Sequence, residues 1–284
     1  MITKDKKILI VGLGLMGGSY ADALTKAGFE VGAITRSQRS IDFAIKNGII
    51  RHGFVEVEAD YVGQFDIIVF SLYPKTFVEW IERHQQLLKS GALITDVTGV
   101  KGPIVEKIQH ILRPDVEFIA AHPMCGKEVS GVENASSDIF IGANYIVTPT
   151  ARNTENAIEE CEALGKILGC TTISRLTPEY HDEIIGFLSQ LTHCIAVSLM
   201  NCKDSKDLVR FTGDSFRDLT RIARINDEMW SELFLLNKTE LLKQMDLFAS
   251  QFSRIREAVA NGDTDTLKEM MKISTERRNY FNKI

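Results

Sequence analysis

The first 175 residues alternate between short apolar runs and longer segments with helical periodicity. The short runs are rich in β-branched residues and lack alternating polar positions, which is typical of strands buried on both faces. They occupy residues 8–11, 31–34, 67–70, 93–96, 118–121 and 145–147. Strands of this kind separated by helices predict an α/β fold, a doubly wound and mostly parallel sheet, over residues 1–175.

The pattern changes after residue 175, where glycine and proline become scarce and apolar positions follow helical spacing. Thr177 and Pro178 indicate a helix start, because threonine caps a helix and proline suits its first position. Helical apolar spacing follows in residues 184–199, 229–236 and 241–252, and a last helix is predicted at 264–280. We therefore predict an all-α domain over residues 176–284. Its apolar surface exceeds what one small bundle buries, so we expect a homodimer through this domain.

Composition excludes several classes of protein. The 284 residues are 44% hydrophobic and 25% charged, with a net charge of −5. This apolar content excludes a disordered chain, and the lack of a basic cluster in the sequence disfavours nucleic acid as a partner. No apolar run reaches about 18 residues and the first seven residues are polar, so we expect neither membrane association nor a signal peptide. Five scattered cysteines without a CxxC pair favour the cytoplasm, and neither a disulfide framework nor a metal site.

A glycine-rich segment follows the first predicted strand and precedes a helical pattern. Its sequence is Gly12-Leu13-Gly14-Leu15-Met16-Gly17, with the GxGxxG spacing of dinucleotide-binding turns. The first glycine permits a tight turn, the second lets the backbone approach a pyrophosphate, and the third lets the helix pack on the sheet. The helix N-terminus offers free N–H groups to the phosphates. The alternative is a purely structural glycine turn.

The end of the second predicted strand bears on the choice of cofactor. An NAD site usually has an acidic residue there, which accepts a hydrogen bond from the ribose 2′-hydroxyl. This chain has Thr35, Arg36, Ser37 and Arg39 instead. Hydroxyl and guanidinium groups suit a 2′-phosphate, so we favour NADP over NAD. The alternative is that Arg36 is an ordinary solvated side chain beside NAD.

Three further segments are unusually polar for their positions, and a histidine lies between two of them. Residues 95–102 and 121–131 follow predicted strands, where ligand-binding loops of α/β sheets occur. Residues 213–224 and His193 belong to the helical part. In chain order the motifs are GLGLMGGS, TDVTGVKG, HPMCGKEVSG, LTH and SFRDLTRIA. Together they resemble prephenate and arogenate dehydrogenases over nearly the whole chain.

The resemblance implies a Rossmann domain, a helical dimerisation domain and an active site between them. It also implies the reaction, which is oxidative decarboxylation of prephenate to 4-hydroxyphenylpyruvate or of arogenate to tyrosine, with hydride transfer to NAD(P). A neutral imidazole is suited to accept the hydroxyl proton near pH 7.

By resemblance, His122 is the catalytic histidine, His193 contacts the substrate side chain, and Arg221 binds a substrate carboxylate. Arg217, one helical turn before Arg221, is a weaker candidate for the same role.

The remaining expected contacts are Gly126 with substrate, and Ser71, Leu72 and Thr98 with cofactor. Each of the histidines and arginines has a structural alternative, a satisfied core histidine or a solvated helix face. We expect Lys101 to pair locally, and Glu128 is a candidate for orienting the site.

One position departs from the family pattern. The family often has a serine that hydrogen-bonds the catalytic histidine, and Gly99 occupies its place here. We hypothesise that the neighbouring hydroxyl of Thr98 substitutes for that serine.

Two other functions are compatible with this architecture. A β-hydroxyacid dehydrogenase or related reductase would use a lysine of the helical part, for which Lys203 and Lys206 are candidates. A non-catalytic NADP-binding sensor would need no convergent histidines and arginines. The remaining histidines belong to no motif, and we expect them at the surface: His52, His84, His110 and His181.

Overall fold

The computed structural model describes residues 2–204 and 206–281, and its first part is built on a six-stranded parallel sheet. The strand order is β3-β2-β1-β4-β5-β6. The strands are β1 (Lys7–Val11), β2 (Glu30–Ile34), β3 (His52–Phe54), β4 (Ile67–Phe70), β5 (Leu93–Asp96) and β6 (Glu117–Phe118). This arrangement confirms the predicted doubly wound α/β class.

Helices cover both faces of this sheet, because its strands present apolar side chains in both directions. Alternate residues of β1 enter two different cores, Ile8 and Ile10 on one face and Leu9 and Val11 on the other. The helices of this part are α1 (Leu15–Lys26), α2 (Gln38–Lys46), α3 (Ala59–Val62), α4 (Pro74–His84), α5 (Gly102–Ile111) and α6 (Glu155–Leu168).

The predicted single strand at 118–121 is wrong, because the chain leaves the first sheet there. β6 ends at Phe118, and β7 (Ala120–Pro123) belongs to a second sheet with β8 (Asn144–Thr148) and β9 (Thr172–Arg175). β7 runs antiparallel to β8, and β9 runs parallel to it. An uninterrupted apolar run cannot reveal which of two sheets each residue joins.

The second part is helical, as predicted. Its helices are α7 (Pro178–Ile185), α8 (Thr192–Asn201), α9 (Asp214–Thr220), α10 (Asp227–Leu236), α11 (Lys238–Asn261) and α12 (Thr264–Arg278). Thr177 caps α7 as expected, with its side chain accepting a hydrogen bond from the backbone N–H of Tyr180. The predicted division at residue 175 falls between β9 and α7, and it stays a prediction.

A π-helical segment, Gly186–Leu191, joins α7 and α8 into one continuous helix. In the part of the chain that the structure describes, this helix, Pro178–Asn201, is long and apolar enough to cross a membrane by length and composition, with a mean hydropathy of 1.4. His181, Asp182 and Gln190 are buried on it. Because these polar groups find hydrogen-bond partners inside the protein, we interpret the helix as a packing element.

Helix α11 leaves most of its apolar side chains exposed. Only Leu241 and Ala258 among its 24 residues are buried. Its exposed apolar residues are Leu242, Met245, Leu247, Phe248, Phe252, Ile255 and Val259. A contiguous apolar face of this kind indicates an interaction surface.

Candidate active site

The glycine-rich turn connects β1 to α1 and has the shape that a pyrophosphate requires. Gly12 has a φ of 97°, and a Cβ atom on it would lie 2.3 Å from the carbonyl oxygen of Ser71. A Cβ on Gly17 would lie 1.9 Å from the carbonyl oxygen of Gly12. Beside Gly14 the described residues leave open space to 4 Å, and no side chain among them caps α1. The unsatisfied N–H groups of the first turn therefore fit a phosphate anion.

The candidate cofactor residues beyond the turn lie at the ends of β2 and β4. Ser71 and Leu72 lie against the Gly12 turn, because a Cβ atom on Gly12 would be 2.3 Å from the carbonyl oxygen of Ser71 and 2.8 Å from Cδ2 of Leu72. Their contact with a cofactor stays a prediction. Arg36 and Arg39 are exposed after β2. Ser37 is exposed too, and its hydroxyl caps α2 by accepting from the N–H of Ser40 at 3.2 Å. The two guanidinium groups are thus accessible, and their contact with a 2′-phosphate stays a prediction.

His122 lies on β7 and is the first member of a hydrogen-bonded chain. Its Nδ1 atom is 3.0 Å from Nε2 of His181, and Nδ1 of His181 is 2.8 Å from Oδ1 of Asp182. Burial, the nearby His181 and the charge of Lys101 hold the pKa of His122 well below its usual range. Burial also lowers the pKa of His181, although Asp182 opposes this shift. Both imidazoles are therefore neutral at pH 7.

The N-terminus of α5 holds the carboxylate of Asp182. Oδ1 accepts from the backbone N–H of Lys101 at 2.7 Å, and Oδ2 accepts from that of Gly102 at 2.8 Å. Asn237 donates to the backbone carbonyl of Asp182 at 2.9 Å and to Oε1 of Gln190 at 2.7 Å. Both carboxylate oxygens thus act as acceptors at the helix end, and the amide network fixes the place of Asp182 on its own helix.

A fully buried ion pair lies under this chain. Nζ of Lys101 is 2.8 Å from Oδ2 of Asp96 and 2.6 Å from the carbonyl oxygen of Ala121, next to His122. Burial lowers the pKa of Lys101, and Asp96 opposes the shift. The local pairing expected for Lys101 is confirmed. The pair ties the loop after β5 to β7.

The Thr98 hydroxyl belongs to this cluster rather than to His122. It donates to Asp96, lies 3.0 Å from the carbonyl oxygen of Val100 and accepts from Nζ of Lys101 at 3.3 Å. The nitrogen of His122 that has a protein partner is bonded to His181 instead. The hypothesis that Thr98 replaces the family serine therefore gains no support from this geometry, and Thr98 is better placed to hold the loop.

Gly99 lies beside His122. A Cβ atom built on Gly99 would be 3.9 Å from Cε1 of His122 and 3.6 Å from Cδ1 of Leu233. These are ordinary van der Waals distances. The position expected for the family serine therefore faces His122, the predicted catalytic histidine, and has no side chain in this protein.

His193 and Arg221 lie together in the helical part. The ring of His193 stacks on Trp230 with centroids 3.7 Å apart, and Nδ1 is 2.8 Å from the carbonyl oxygen of Ser189. Burial lowers the pKa of His193, the charge of Glu128 raises it, and the charge of Arg221 lowers it further. Arg221 donates to Glu128, in the exposed loop that follows β7 and contains Gly126. The ion pair between Arg221 and Glu128 thus connects the helical part to the loop after β7.

The other predicted residues lie apart from this cluster. Arg217 pairs with Asp214 at 3.3 Å and donates to the carbonyl oxygen of Thr212 at 3.2 Å. Lys203 and Lys206, the residues of the alternative dehydrogenase reading, are both exposed. Within residues 2–204 and 206–281, no group of three histidine, cysteine or acidic side chains is arranged to hold a metal ion.

Sequence reasoning missed His181 and Asp182. The surface prediction holds for His110, whereas His52 and His84 are half-buried. For His181 it is wrong, because this side chain is completely buried. A signal was available, since His181 precedes Ile185 by four residues and so lies on the buried face of α7.

Two family models and a curated relative match this chain. Residues 20–173 match the family model of the prephenate dehydrogenase nucleotide-binding domain, and residues 177–273 match that of the prephenate dehydrogenase dimerization domain. The chain is 30% identical over 278 residues to a prephenate dehydrogenase of Bacillus subtilis (strain 168), covering 95% of this chain and 75% of the relative.

Two further relatives cover nearly the whole chain. A cyclohexadienyl dehydrogenase of Zymomonas mobilis is 28% identical over 286 residues, which are 98% of this chain and 96% of the relative. The crystal structure of prephenate dehydrogenase from A. aeolicus in complex with hydroxyphenyl propionate and NAD+ superposes with a TM-score of 0.88. It is 28% identical and covers 99% of this chain and 100% of that chain. The chain therefore belongs to the prephenate dehydrogenase family.

Proposed function

We propose that the protein oxidises and decarboxylates prephenate or arogenate in tyrosine biosynthesis. The observation that supports this most directly is a neutral His122 whose Nδ1 is hydrogen-bonded to His181, in a chain that also has a Rossmann-type dinucleotide turn. The family membership and the names of the relatives support the same reaction. The β-hydroxyacid dehydrogenase alternative finds no support, because its candidate lysines are exposed.

The chemistry assigns His122 a proton that it accepts and returns. When bound, the nicotinamide accepts a hydride from the carbinol carbon of the substrate. His122 takes the hydroxyl proton at Nε2 while the C–O bond becomes a carbonyl. The bond to the ring carboxylate then breaks, CO2 leaves, and the electron pair aromatises the ring and returns to the same oxygen. That oxygen takes the proton back from His122, so no net proton is released.

The helical part supplies the groups for the substrate's other end. Arg221 is exposed and can exchange Glu128 for a substrate carboxylate, to which a guanidinium binds in a bidentate manner. His193, fixed by Trp230 and Ser189, is the second contact. Gly126 borders the same loop, and Arg217 remains the weaker candidate because Asp214 and Thr212 already engage it.

The test of this proposal is an assay of four combinations, prephenate or arogenate with NAD or NADP. Turnover, followed by the absorbance of the reduced nicotinamide, is expected in at least one combination. The best combination identifies both substrate and cofactor. Silence in all four with intact cofactor binding would contradict the proposed reaction.

Replacing Arg221 by glutamine is expected to raise KM about 100-fold with little change in cofactor affinity. A charge-assisted pair to a carboxylate is worth about 1.5–3 kcal/mol, which corresponds to roughly 10- to 150-fold in affinity. Steady-state kinetics measure the effect. Arg224→Gln is the matched control, since Arg224 is exposed on the same segment. An equal effect of both changes would mean that Arg221 acts only through general surface charge.

For the cofactor we propose a preference for NADP, held at its 2′-phosphate by Arg36 and Arg39. Replacing Arg36 by alanine is expected to weaken NADP binding about tenfold and leave NAD binding unchanged, because only the phosphate contact is lost. Titration of the two cofactors by fluorescence measures both constants. Lys46→Ala, at the exposed far end of α2, is the control. Equal losses for NAD and NADP would contradict the preference.

We further propose that the protein is a cytoplasmic homodimer. The match to a family dimerization domain and the exposed apolar face of α11 support the dimer. The relatives named above are consistent with a biosynthetic enzyme of the cytoplasm.

A further inference from the structure

We propose that His181, oriented by Asp182, is a positioning residue that fixes His122 in one tautomer, with hydrogen on Nδ1 and Nε2 bare. The inference rests on the proposed function, in which Nε2 of His122 receives the hydroxyl proton. It concerns two residues outside every motif that the sequence displays.

The direction of each hydrogen bond in the chain follows from the carboxylate end. Both carboxylate oxygens of Asp182 accept backbone N–H groups at a helix N-terminus, so this side chain acts as a hydrogen-bond acceptor. Nδ1 of His181 must therefore donate to Asp182. A neutral imidazole with hydrogen on Nδ1 has a bare Nε2, which can only accept from Nδ1 of His122. His122 is left with Nε2 bare.

Burial makes this arrangement stable against the alternative tautomer. The His181 side chain is completely buried, and Asp182 is only 4% exposed. Reversing one tautomer would place two hydrogens or two lone pairs between buried atoms, and a buried polar group without a partner is unfavourable. Lys101 is the cation that acts on both imidazoles, and its own partners are Asp96 and the carbonyl of Ala121. It opposes a charge on either imidazole.

The chain has no need of an outlet to solvent, because the proposed reaction returns the proton to the oxygen it came from. The hydrogen-bonded chain ends at the buried Asp182 carboxylate, so it orients His122 as a proton acceptor and gives the proton no path to solvent. His181 therefore acts through His122 and does not touch the substrate itself.

The experiment compares His181→Leu, which removes the acceptor, with His181→Gln, whose amide oxygen can replace it. Histidine-selective 15N labelling of the full chain reports the tautomers, and the six histidines keep the spectrum simple. We expect bare Nε2 on His122 in the unaltered protein and in His181→Gln, and a mixture in His181→Leu. We expect kcat to fall about 100-fold in His181→Leu, with KM and cofactor affinity unchanged, and to recover largely in His181→Gln.

His110→Leu, an exposed histidine on α5, is the matched control. An unchanged His122 tautomer in His181→Leu would overturn the proposal, whether or not activity falls. Equal loss of kcat in both His181 variants would show a structural role and would overturn it too. Because the spectra need no substrate, they decide the tautomer even if the unaltered protein turns over neither prephenate nor arogenate, which would count against the proposed reaction alone.

Discussion

Replacing His122 by asparagine is expected to lower kcat about 1000-fold while cofactor affinity stays unchanged. A positioned general base contributes roughly 100- to 10,000-fold, and His122 is the neutral imidazole that the chain through His181 holds in place. Asparagine can retain a hydrogen bond toward His181, so the fold should survive. Stopped-flow measurement of hydride transfer, with NAD(P) binding as the check on folding, gives the result.

The pH profile of the unaltered protein provides an independent readout of His122. Since its pKa lies well below the usual range, the imidazole is neutral at pH 7 and is lost as a base only as the pH falls through that low pKa. kcat/KM should therefore be flat around neutrality and fall on the acid side. An acid limb centred at or above pH 6.5, or full activity of His122→Asn, would exclude His122 as the base.

Replacing Lys101 by methionine is expected to lower the free energy of unfolding by about 3–5 kcal/mol. The change leaves the fully buried carboxylate of Asp96 without its cation, and an uncompensated buried charge is strongly destabilising. It also removes a donor from the carbonyl oxygen of Ala121. Urea unfolding followed by circular dichroism measures the loss.

A double-mutant cycle separates the pair from simple packing. Asp96→Asn with Lys101→Met should cost less than the sum of the two single changes, because neither charge is then left alone. Lys243→Met is the control, since the pair of Lys243 with Glu240 lies at the surface and should contribute nothing measurable. Strict additivity of the Asp96 and Lys101 changes would mean that their charges are not coupled.

Local patterns were sufficient to predict the α/β first part, the helical second part and the glycine turn. The four buried apolar residues of β4 and the glycine that the Gly12 turn requires are visible in the local sequence itself. β3 and β9 were not predicted, because they are short and polar or glycine-containing. Their place in the sheets is set by neighbouring strands, which no local pattern records.

The site could be predicted only where residues lie in recognisable motifs. His122 and Arg221 are examples, and their roles stay predictions. The partner of His122 could not be identified, because His181 is 59 residues away in the chain and becomes its neighbour only when α7 packs against β7. The same holds for Asp182, whose carboxylate meets the N-terminus of α5.

At Gly99 the chemical groups that face His122 can change without a change in the shape of the loop. A Cβ atom added there would meet Leu233 and His122 at ordinary contact distances, so the surrounding core would not have to move for it. We therefore expect that a single substitution can place a small hydroxyl side chain beside His122 at little cost to folding. Such a position gives natural variation a way to alter the hydrogen bonding of a substrate hydroxyl while the scaffold stays as it is.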